Sequence, residues 1–149
     1  MTVLVTGANG FIGRTLCGAL VDQGRDFRSV VRSSCEPIGG EVPLAIGDVG
    51  AQTDWSPAID DVSQVVHLAS RVHVMNESGS DIDALYRETN TFGTLRLAQQ
   101  AADAGVKRFV FLSSVKVNGE EREEAYSEDD RPAPIGPYAI SKRDAEIGL

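Results

Sequence analysis

The chain has 149 residues, of which 42% are hydrophobic and 24% are charged, and its formal net charge at pH 7 is −8. This composition predicts one globular domain with a real core, and the acidic balance argues against nucleic acid and anionic membrane surfaces as partners. No apolar run approaches the length of a transmembrane helix, and the chain enters a strand directly rather than a signal peptide. We therefore expect a cytoplasmic protein without membrane insertion.

The first thirteen residues predict a strand, a glycine turn and a helix. Val3–Val5 is a short apolar run typical of a buried strand, and Gly7, Gly10 and Gly13 follow at GxxGxxG spacing. In this geometry, backbone N–H groups and a helix N-terminus bind phosphate. The glycines allow a tight turn, close approach of a pyrophosphate, and packing of helix on strand. We predict nucleotide binding here; a glycine-rich turn without a ligand is the alternative.

The next two elements concern the choice of cofactor. A helix is predicted from about Phe11 to Asp22, with Gly24 as its C-cap, and Phe27–Arg32 is predicted to form the second strand. In dinucleotide-binding folds, an acidic residue after this strand binds the ribose 2′-OH, whereas an arginine accommodates a 2′-phosphate. This chain has Arg32 and no acid there, which modestly favours NADP over NAD. Alternatively, Arg32 is a solvated loop residue.

The sequence pattern of residues 42–61 predicts secondary structure less clearly. Val42–Ile46 predicts a third strand, and Asp48 comes soon after it. Asp48 is either a turn residue or an acceptor for an adenine amino group. Gln52–Asp61 predicts a short helix, in which Trp55 is expected to pack rather than to bind a ligand.

A fourth strand leads to small residues. Gln64–Leu68 is almost continuously apolar, and Ala69 and Ser70 follow it. Ligands of doubly wound sheets bind outside the carboxyl ends of strands, where small residues allow a cofactor to lie against the backbone. His67 either faces this site or is a packed, hydrogen-bonded histidine.

Asp81–Ala104 predicts one long helix that ends at Gly105. Asn90 is unusual on its inner face because a buried amide needs hydrogen-bonding partners. It either bonds backbone in the next layer or holds a water or a catalytic lysine. The predicted inner face comprises Ile82, Leu85, Thr89, Phe92 and either Leu95 or Arg96.

The last part of the chain carries the candidate chemistry. Arg108–Leu112 predicts the fifth strand, with Ser114 just beyond its end. Gly119–Pro137 is acidic and proline-rich, typical of a solvated, mobile loop. Tyr138 and Lys142 follow at i and i+4, so they lie on one helix face. A nearby ammonium stabilises tyrosinate, the form that a general base requires.

Four side chains of metal-binding type are scattered along the sequence. Cys17 lies in the first predicted helix and Cys35 in a loop, and neither belongs to a CxxC pair. His67 and His73 are also poorly placed for a shared site. We therefore expect no metal and no redox-active cysteine pair.

These motifs together resemble the extended short-chain dehydrogenase/reductases, in their NAD-dependent epimerase/dehydratase branch, whose members act on nucleotide sugars. The resemblance implies an α/β fold with a three-layer, doubly wound parallel sheet of Rossmann type, here truncated after about five strands. The matching segments are Thr6–Gly13 (TGxxGxxG), Asp48–Val49 (adenine-contacting pair), His67–Ser70 (HxAA), and Asn90 with Gly93–Leu95 (Asn-x-x-Gly-Thr).

The resemblance also implies roles for residues. The implied catalytic set is Ser114, Tyr138, Lys142 and Asn90. Together with Arg32 from the second strand, the implied cofactor-binding residues are Gly7, Asn9, Gly10, Phe11, Ile12, Gly13, Asp48, Val49, Leu68, Ala69, Ser70, Tyr138 and Lys142.

Two segments narrow the resemblance. Ala69–Glu77 and Phe109–Glu120 are similar to bacterial UDP-N-acetyl-sugar 4-epimerases and 4-ketoreductases of surface-glycan synthesis. Asn118 stands where many members have tyrosine. Val115 and Lys116 stand where dehydratases carry Asp-Glu, which disfavours loss of water. The implied function is NAD(P)-dependent hydride transfer at a sugar carbon, expected to be C4, in a UDP-N-acetyl-hexosamine.

Members of this family are roughly twice as long and dimerise through the region of Asp81–Ala104. We therefore expect residues 1–149 to be an amino-terminal NAD(P)-binding domain without its carboxy-terminal substrate domain. Such a fragment should be less stable than its parent and inactive alone, and the intact protein should form a homodimer. The alternatives are a non-catalytic NAD(P)-binding regulator and a dimerising interaction module of the same fold.

Overall fold

The structure is a computed structural model that describes residues 1–72 and 81–149. His73 and the end of the Ala69–Glu77 segment lie outside the described residues. Within these ranges, the strands are Thr2–Thr6 (β1), Phe27–Val31 (β2), Leu44–Ala45 (β3), Val62–His67 (β4) and Arg108–Phe111 (β5).

The strands form one parallel sheet in the order β3-β2-β1-β4-β5. The chain proceeds outward from β1 in one direction and then restarts on its other side with β4. This reversal creates a crevice at the carboxyl ends of β1 and β4, the place where doubly wound sheets bind ligands. The predicted fold class is therefore confirmed.

Helices flank the sheet at the predicted places. The first helix and its positive-φ C-terminal Gly24 (φ +62°) agree with the sequence prediction. The helices are Phe11–Asp22 (α1), Ser56–Ile59 (α2), Ile82–Tyr86 (α3), Gly93–Asp103 (α4) and Gly136–Gly148 (α5). A π-helical segment, Arg87–Phe92, joins α3 to α4, and a 3₁₀ turn, Val115–Val117, follows β5.

Alternating residues of β1 divide the core into two layers, because successive strand side chains point to opposite faces. Val3 and Val5 pack with α1, where Cys17 is buried as a small apolar residue, as predicted. Leu4 packs on the other face with Trp55 and with α4. Trp55 is fully buried there, so its predicted packing role is confirmed.

The long helix exists, and Asn90 is buried on it as predicted, but part of its predicted inner face is wrong. Leu85 is 47% exposed and Phe92 is 48% exposed. The π-helical segment changes the number of residues per turn, so an α-helical period that starts in α3 does not continue into α4. The buried face combines polar and apolar residues, and it comprises Tyr86, Asn90, Thr91, Gly93, Thr94, Leu97 and Ala101.

In the acidic loop of residues 119–137, the side chain of Arg122 holds several residues together. The Arg122 guanidinium donates to the Glu124 carbonyl oxygen at 2.8 Å, pairs with Asp130 at 2.7 Å and lies over the Tyr126 ring. Asp130 also accepts a hydrogen bond from the Ser127 N–H, and this bond and Arg122 hold the pKa of its carboxyl below the ordinary value. The loop that leads to α5 is therefore organised locally.

The described residues lack two further features, a membrane-spanning helix and a cluster of metal-binding side chains. None of their helices is both long and apolar enough to cross a membrane. Their His, Cys, Asp and Glu side chains do not gather in groups of three or more that could hold a metal ion.

Candidate active site

The glycine turn after β1 is packed too tightly for side chains. Gly7 has a φ of +64°, and a Cβ built on it would lie 2.8 Å from the Ala69 nitrogen. A Cβ on Gly13 would overlap the Gly7 carbonyl oxygen and lie 2.7 Å from the Ala8 Cα. The turn, α1 and the end of β4 therefore meet through backbone atoms.

The N-terminus of α1 opens onto this turn. Its N-cap residue is Gly10, and no side chain caps the helix. Phe11 and Ile12 expose their side chains, and the Asn9 carbonyl oxygen accepts a hydrogen bond from Arg14 at 3.1 Å. The first N–H groups of a helix have no intrahelical acceptors, so this end can bind an anion.

The end of β2 lies at the outer part of the crevice. Arg32 is paired with Asp48 at 3.8 Å, and their side chains are 75% and 92% exposed. A pair so exposed contributes little to stability, and both groups are available to a ligand. Val49 instead packs against Gly93 at the start of α4.

His67 is fully buried, in agreement with the packed, hydrogen-bonded alternative. Its imidazole lies 2.7 Å from the Thr6 hydroxyl and 3.0 Å from the Thr94 hydroxyl. Burial and then the positive charge of Lys142 lower the pKa of His67 to about 3, so the ring is neutral at physiological pH.

Asn90 uses its amide group completely within the protein. Its Oδ1 accepts from the Ser70 hydroxyl at 3.0 Å and from the Arg71 N–H at 2.7 Å. Its Nδ2 donates to the Arg71 carbonyl oxygen and to the Ser141 hydroxyl, each at 3.0 Å. Asn90 therefore joins the segment after β4 to α5, and backbone groups are among its partners, as one of the two alternatives predicted.

Tyr138 and Lys142 lie on α5, as the YxxxK pattern predicted. Lys142 is only 3% exposed, and its Nζ lies 4.2 Å from the centroid of the Phe111 ring at the end of β5. Burial lowers the pKa of Lys142 to about 8, although Glu146 opposes the shift. Tyr138 is partly exposed, and its ring contacts the Tyr86 ring edge-on at a centroid distance of 6.4 Å.

Ser114 begins the 3₁₀ turn after β5. Its Oγ accepts a hydrogen bond from the Lys116 N–H at 3.3 Å. This bond occupies one acceptor position and leaves the hydroxyl proton available for another partner. Ser114 thus stands at the carboxyl end of β5, on the same edge of the sheet as the glycine turn.

Sequence reasoning missed several residues that build this site. Phe111 supports Lys142, while Ser141 connects Asn90 to the Tyr138 carbonyl oxygen, to which it donates at 2.8 Å. Thr6 and Thr94 hold His67. Each of these residues is polar or aromatic and lies at a strand end or on a helix face that contacts the sheet, which is the signal that the sequence offered. Their partners become evident only in three dimensions.

The burial of Lys142 predicts a pH-dependent cost in stability. Unfolded, the lysine stays charged up to about pH 10.5, whereas folded it loses its proton near pH 8. The cost, about 3 kcal/mol for this shift, is fully present below pH 8 and disappears as the pH rises towards 10.5. We expect Lys142→Met to be more resistant to urea than the original chain at neutral pH, with the gain shrinking through this window.

Urea unfolding at several pH values measures this difference. Lys107→Met is the matched control because Lys107 is exposed, and it should show no comparable gain. A Lys142→Met gain that stays constant with pH would contradict the burial argument.

Comparisons with known proteins agree with this geometry. The family model for the NAD dependent epimerase/dehydratase family matches residues 3–148. A UDP-glucose 4-epimerase from Vibrio cholerae is 40% identical over 152 residues, which cover 99% of this chain and 46% of that protein.

Solved structures give the same result. A short-chain dehydrogenase/reductase superfamily protein from Agrobacterium tumefaciens with bound NAD is 35% identical, with a TM-score of 0.82 over 99% of this chain and 44% of that one. MoeE5, in complex with UDP-glucuronic acid and NAD, is 34% identical, with a TM-score of 0.85 over 99% of this chain and 48% of its own. The chain thus spans about half the length of the relatives that it matches.

Proposed function

Because the chain belongs to the NAD dependent epimerase/dehydratase family, we propose that it carries the cofactor site and catalytic helix of a nucleotide-sugar epimerase or 4-ketoreductase. One observation carries the proposal. The buried ammonium of Lys142 lies one helical turn from Tyr138, on a helix that Asn90 bonds to the strand-end segment beside the glycine turn.

A nicotinamide dinucleotide fits the crevice. The close backbone packing of Gly7 and Gly13 holds the turn at the N-terminus of α1, and this uncapped N-terminus supplies N–H donors for a pyrophosphate. When bound, the dinucleotide supplies the acceptor and donor of hydride. We propose that Asp48 and Val49 lie near its adenine and that the backbone of Leu68–Ser70 lies along it.

The choice between NAD and NADP depends on Arg32 in this proposal. Its exposed guanidinium would accommodate a 2′-phosphate, which modestly favours NADP. The related structures hold NAD, and the Arg32–Asp48 pair also leaves a carboxylate near this end of the crevice. Titration with each dinucleotide, compared between the original protein and Arg32→Ala, decides between them.

The catalytic groups act on the sugar and its proton. We assign Tyr138 as the general base, which takes the proton of the sugar C4 hydroxyl as the carbon becomes a ketone and returns a proton when the ketone is reduced. In this proposal the Lys142 ammonium would stabilise the tyrosinate and would donate a hydrogen bond to the nicotinamide ribose of a bound cofactor. Ser114, whose hydroxyl proton is available, orients the sugar oxygen, and Asn90 supports the site without touching the substrate.

The residues after Ser114 favour hydride and proton transfer over dehydration. Val115 has no ionisable group, and the Lys116 ammonium is bound to Glu120 at 2.6 Å. Neither residue can supply the acid and base needed to remove water from the sugar. An epimerase would reduce the rotated ketone on its other face, whereas a reductase would consume NADPH or NADH.

We propose a UDP-N-acetyl-hexosamine as the substrate, in surface-glycan synthesis. The similarity to a UDP-glucose 4-epimerase and to a protein that binds UDP-glucuronic acid supports a UDP-sugar. We place the activity in the cytoplasm and in a protein of the relatives' full length. Strand β5 supports the last point, because Val110 and Leu112 at this edge of the described sheet are exposed.

The test is an assay of the full-length protein with UDP-sugars and with added NAD, NADH or NADPH. An epimerase should convert its substrate without net consumption of cofactor, and a reductase should consume reduced cofactor stoichiometrically. Dinucleotide binding without turnover of any sugar would favour a regulator of the same fold, and absence of dinucleotide binding would refute the proposal.

We also propose that the protein forms a homodimer through the Asp81–Ala104 helix. Leu85 and Phe92 support this arrangement because both lie outside the buried face. Phe92→Asp should weaken the dimer by about tenfold or more, since a charge would be buried in an apolar contact. Light scattering measures the mass. Val42→Asp, at an exposed apolar residue elsewhere, should leave it unchanged, and a monomeric original protein would contradict the proposal.

A further inference from the structure

A series of buried hydrogen bonds runs through His67, at the carboxyl end of β4, and joins β1 to α4. The Thr6 hydroxyl, at the end of β1, accepts from the N–H groups of Leu68 at 3.1 Å and Ala69 at 3.2 Å. It lies 2.7 Å from Nδ1 of His67, whose Nε2 lies 3.0 Å from the Thr94 hydroxyl on α4. All these hydroxyl and imidazole groups are fully buried.

The partners determine the direction of each bond. The Thr94 hydroxyl donates its single proton to the Asn90 carbonyl oxygen at 2.7 Å, so it must accept from the Nε2–H of His67. The neutral ring then has an unprotonated Nδ1, which accepts the proton of the Thr6 hydroxyl. One tautomer of His67 therefore satisfies both threonines.

The hydrogen bonds continue to α5, the helix that carries Tyr138. The Asn90 amide bonds the Ser141 hydroxyl, which in turn donates to the Tyr138 carbonyl oxygen at 2.8 Å. The His67 ring is also stacked on the Phe111 ring at a centroid distance of 6.1 Å, and the Lys142 ammonium lies over that Phe111 ring. His67 thus adjoins the supports of both Tyr138 and Lys142.

We infer that His67 is a positioning residue, whose neutral imidazole ties the backbone of Leu68–Ala69 through Thr94 and Asn90 to the helix that carries Tyr138. This inference rests on the proposed function, because it assigns Leu68–Ala69 to the cofactor and Tyr138 to the proton. The two bonds to threonine hydroxyls fix both the tautomer and the orientation of the His67 ring. This series of hydrogen bonds sets the distance between the cofactor and Tyr138.

Kinetics of paired variants of the full-length enzyme test the link. Thr94→Val keeps the shape of the side chain but removes the hydroxyl, and it should lower kcat by about 10²-fold with little change in the KM of the sugar, because misplacement by about 1 Å has this effect. Thr94→Ser restores the hydroxyl and should recover most of the activity. Ser63→Ala, which removes a hydroxyl bond at the opposite end of β4, should behave like the original enzyme.

Two kinetic results would overturn the inference: a normal kcat in Thr94→Val, or a Thr94→Ser enzyme as slow as Thr94→Val. A second measurement needs neither a variant nor activity. Nitrogen-15 spectra of the original protein should show His67 protonated only at Nε2 from about pH 5 to about pH 8. Protonation at Nδ1 would overturn the inference even if the protein has no turnover, whereas missing turnover with the expected tautomer would count against the proposed function alone.

Discussion

Tyr138→Phe should lower the turnover of the full-length enzyme by about 10³-fold while leaving dinucleotide binding nearly unchanged. The phenol is the proposed acceptor of the sugar proton, and phenylalanine retains the ring that contacts Tyr86 but has no group to take the proton. Steady-state assays give the loss in kcat, and titration of the cofactor shows whether its site is intact.

Tyr86→Phe is the matched control. Tyr86 is more deeply buried than Tyr138, and its hydroxyl donates to the Val72 carbonyl oxygen at 3.1 Å, so it has a structural partner. Its loss should cost about 1 kcal/mol of stability and little activity. Equal activity losses in the two variants would show that Tyr138 acts through packing, and unchanged turnover in Tyr138→Phe would refute its role as the base.

Gly13→Ala should destabilise the protein by about 3 kcal/mol and abolish dinucleotide binding. The added methyl group would overlap the Gly7 carbonyl oxygen and meet the Ala8 backbone, neither of which can move without displacing the turn from the end of β4. Thermal unfolding measures the loss in stability, and cofactor titration measures the loss in binding.

Gly18→Ala gives the opposite result on the same helix. A Cβ at Gly18 would meet no atom within 4 Å, and the residue is exposed within α1. Replacing a helical glycine by alanine there should stabilise the protein by about 0.5 to 1 kcal/mol and leave binding unchanged. If Gly13→Ala bound the dinucleotide as well as Gly18→Ala does, the close packing of the turn would not matter for the site.

Local pattern was a reliable guide to the elements themselves. Each predicted strand appears, although β3 is reduced to Leu44–Ala45, and α1 has the predicted bounds. The failure was the inner face of the long helix, where Leu85 and Phe92 are exposed. A hydrophobic period assumes a constant number of residues per turn and an apolar buried face. The Arg87–Phe92 π segment breaks the first assumption, and the bonded Asn90 and Thr94 break the second.

In the candidate site, too, local motifs were predictable from the sequence, whereas contacts between distant segments were not. The YxxxK pair and the glycine spacing were visible because short motifs fix which residues share a turn or a helix face. The role of Asn90 remained open, since its partners come from two other segments of the chain. Phe111 under Lys142 was not anticipated at all, because a strand residue and a helix residue 31 positions apart meet only when α5 packs against the sheet.

By itself, the sequence determined the doubly wound α/β class, the glycine turn of Gly7, Gly10 and Gly13, and the helix that bears Tyr138 and Lys142. These features depend on backbone conformation and on periods of a few residues. Only the tertiary structure decided that Lys142 is buried on Phe111, that His67 is buried between the hydroxyls of Thr6 and Thr94, and that Asn90 joins the strand-end segment to α5. Those properties arise from desolvation and from hydrogen bonds between distant segments, which exist only once the layers have packed.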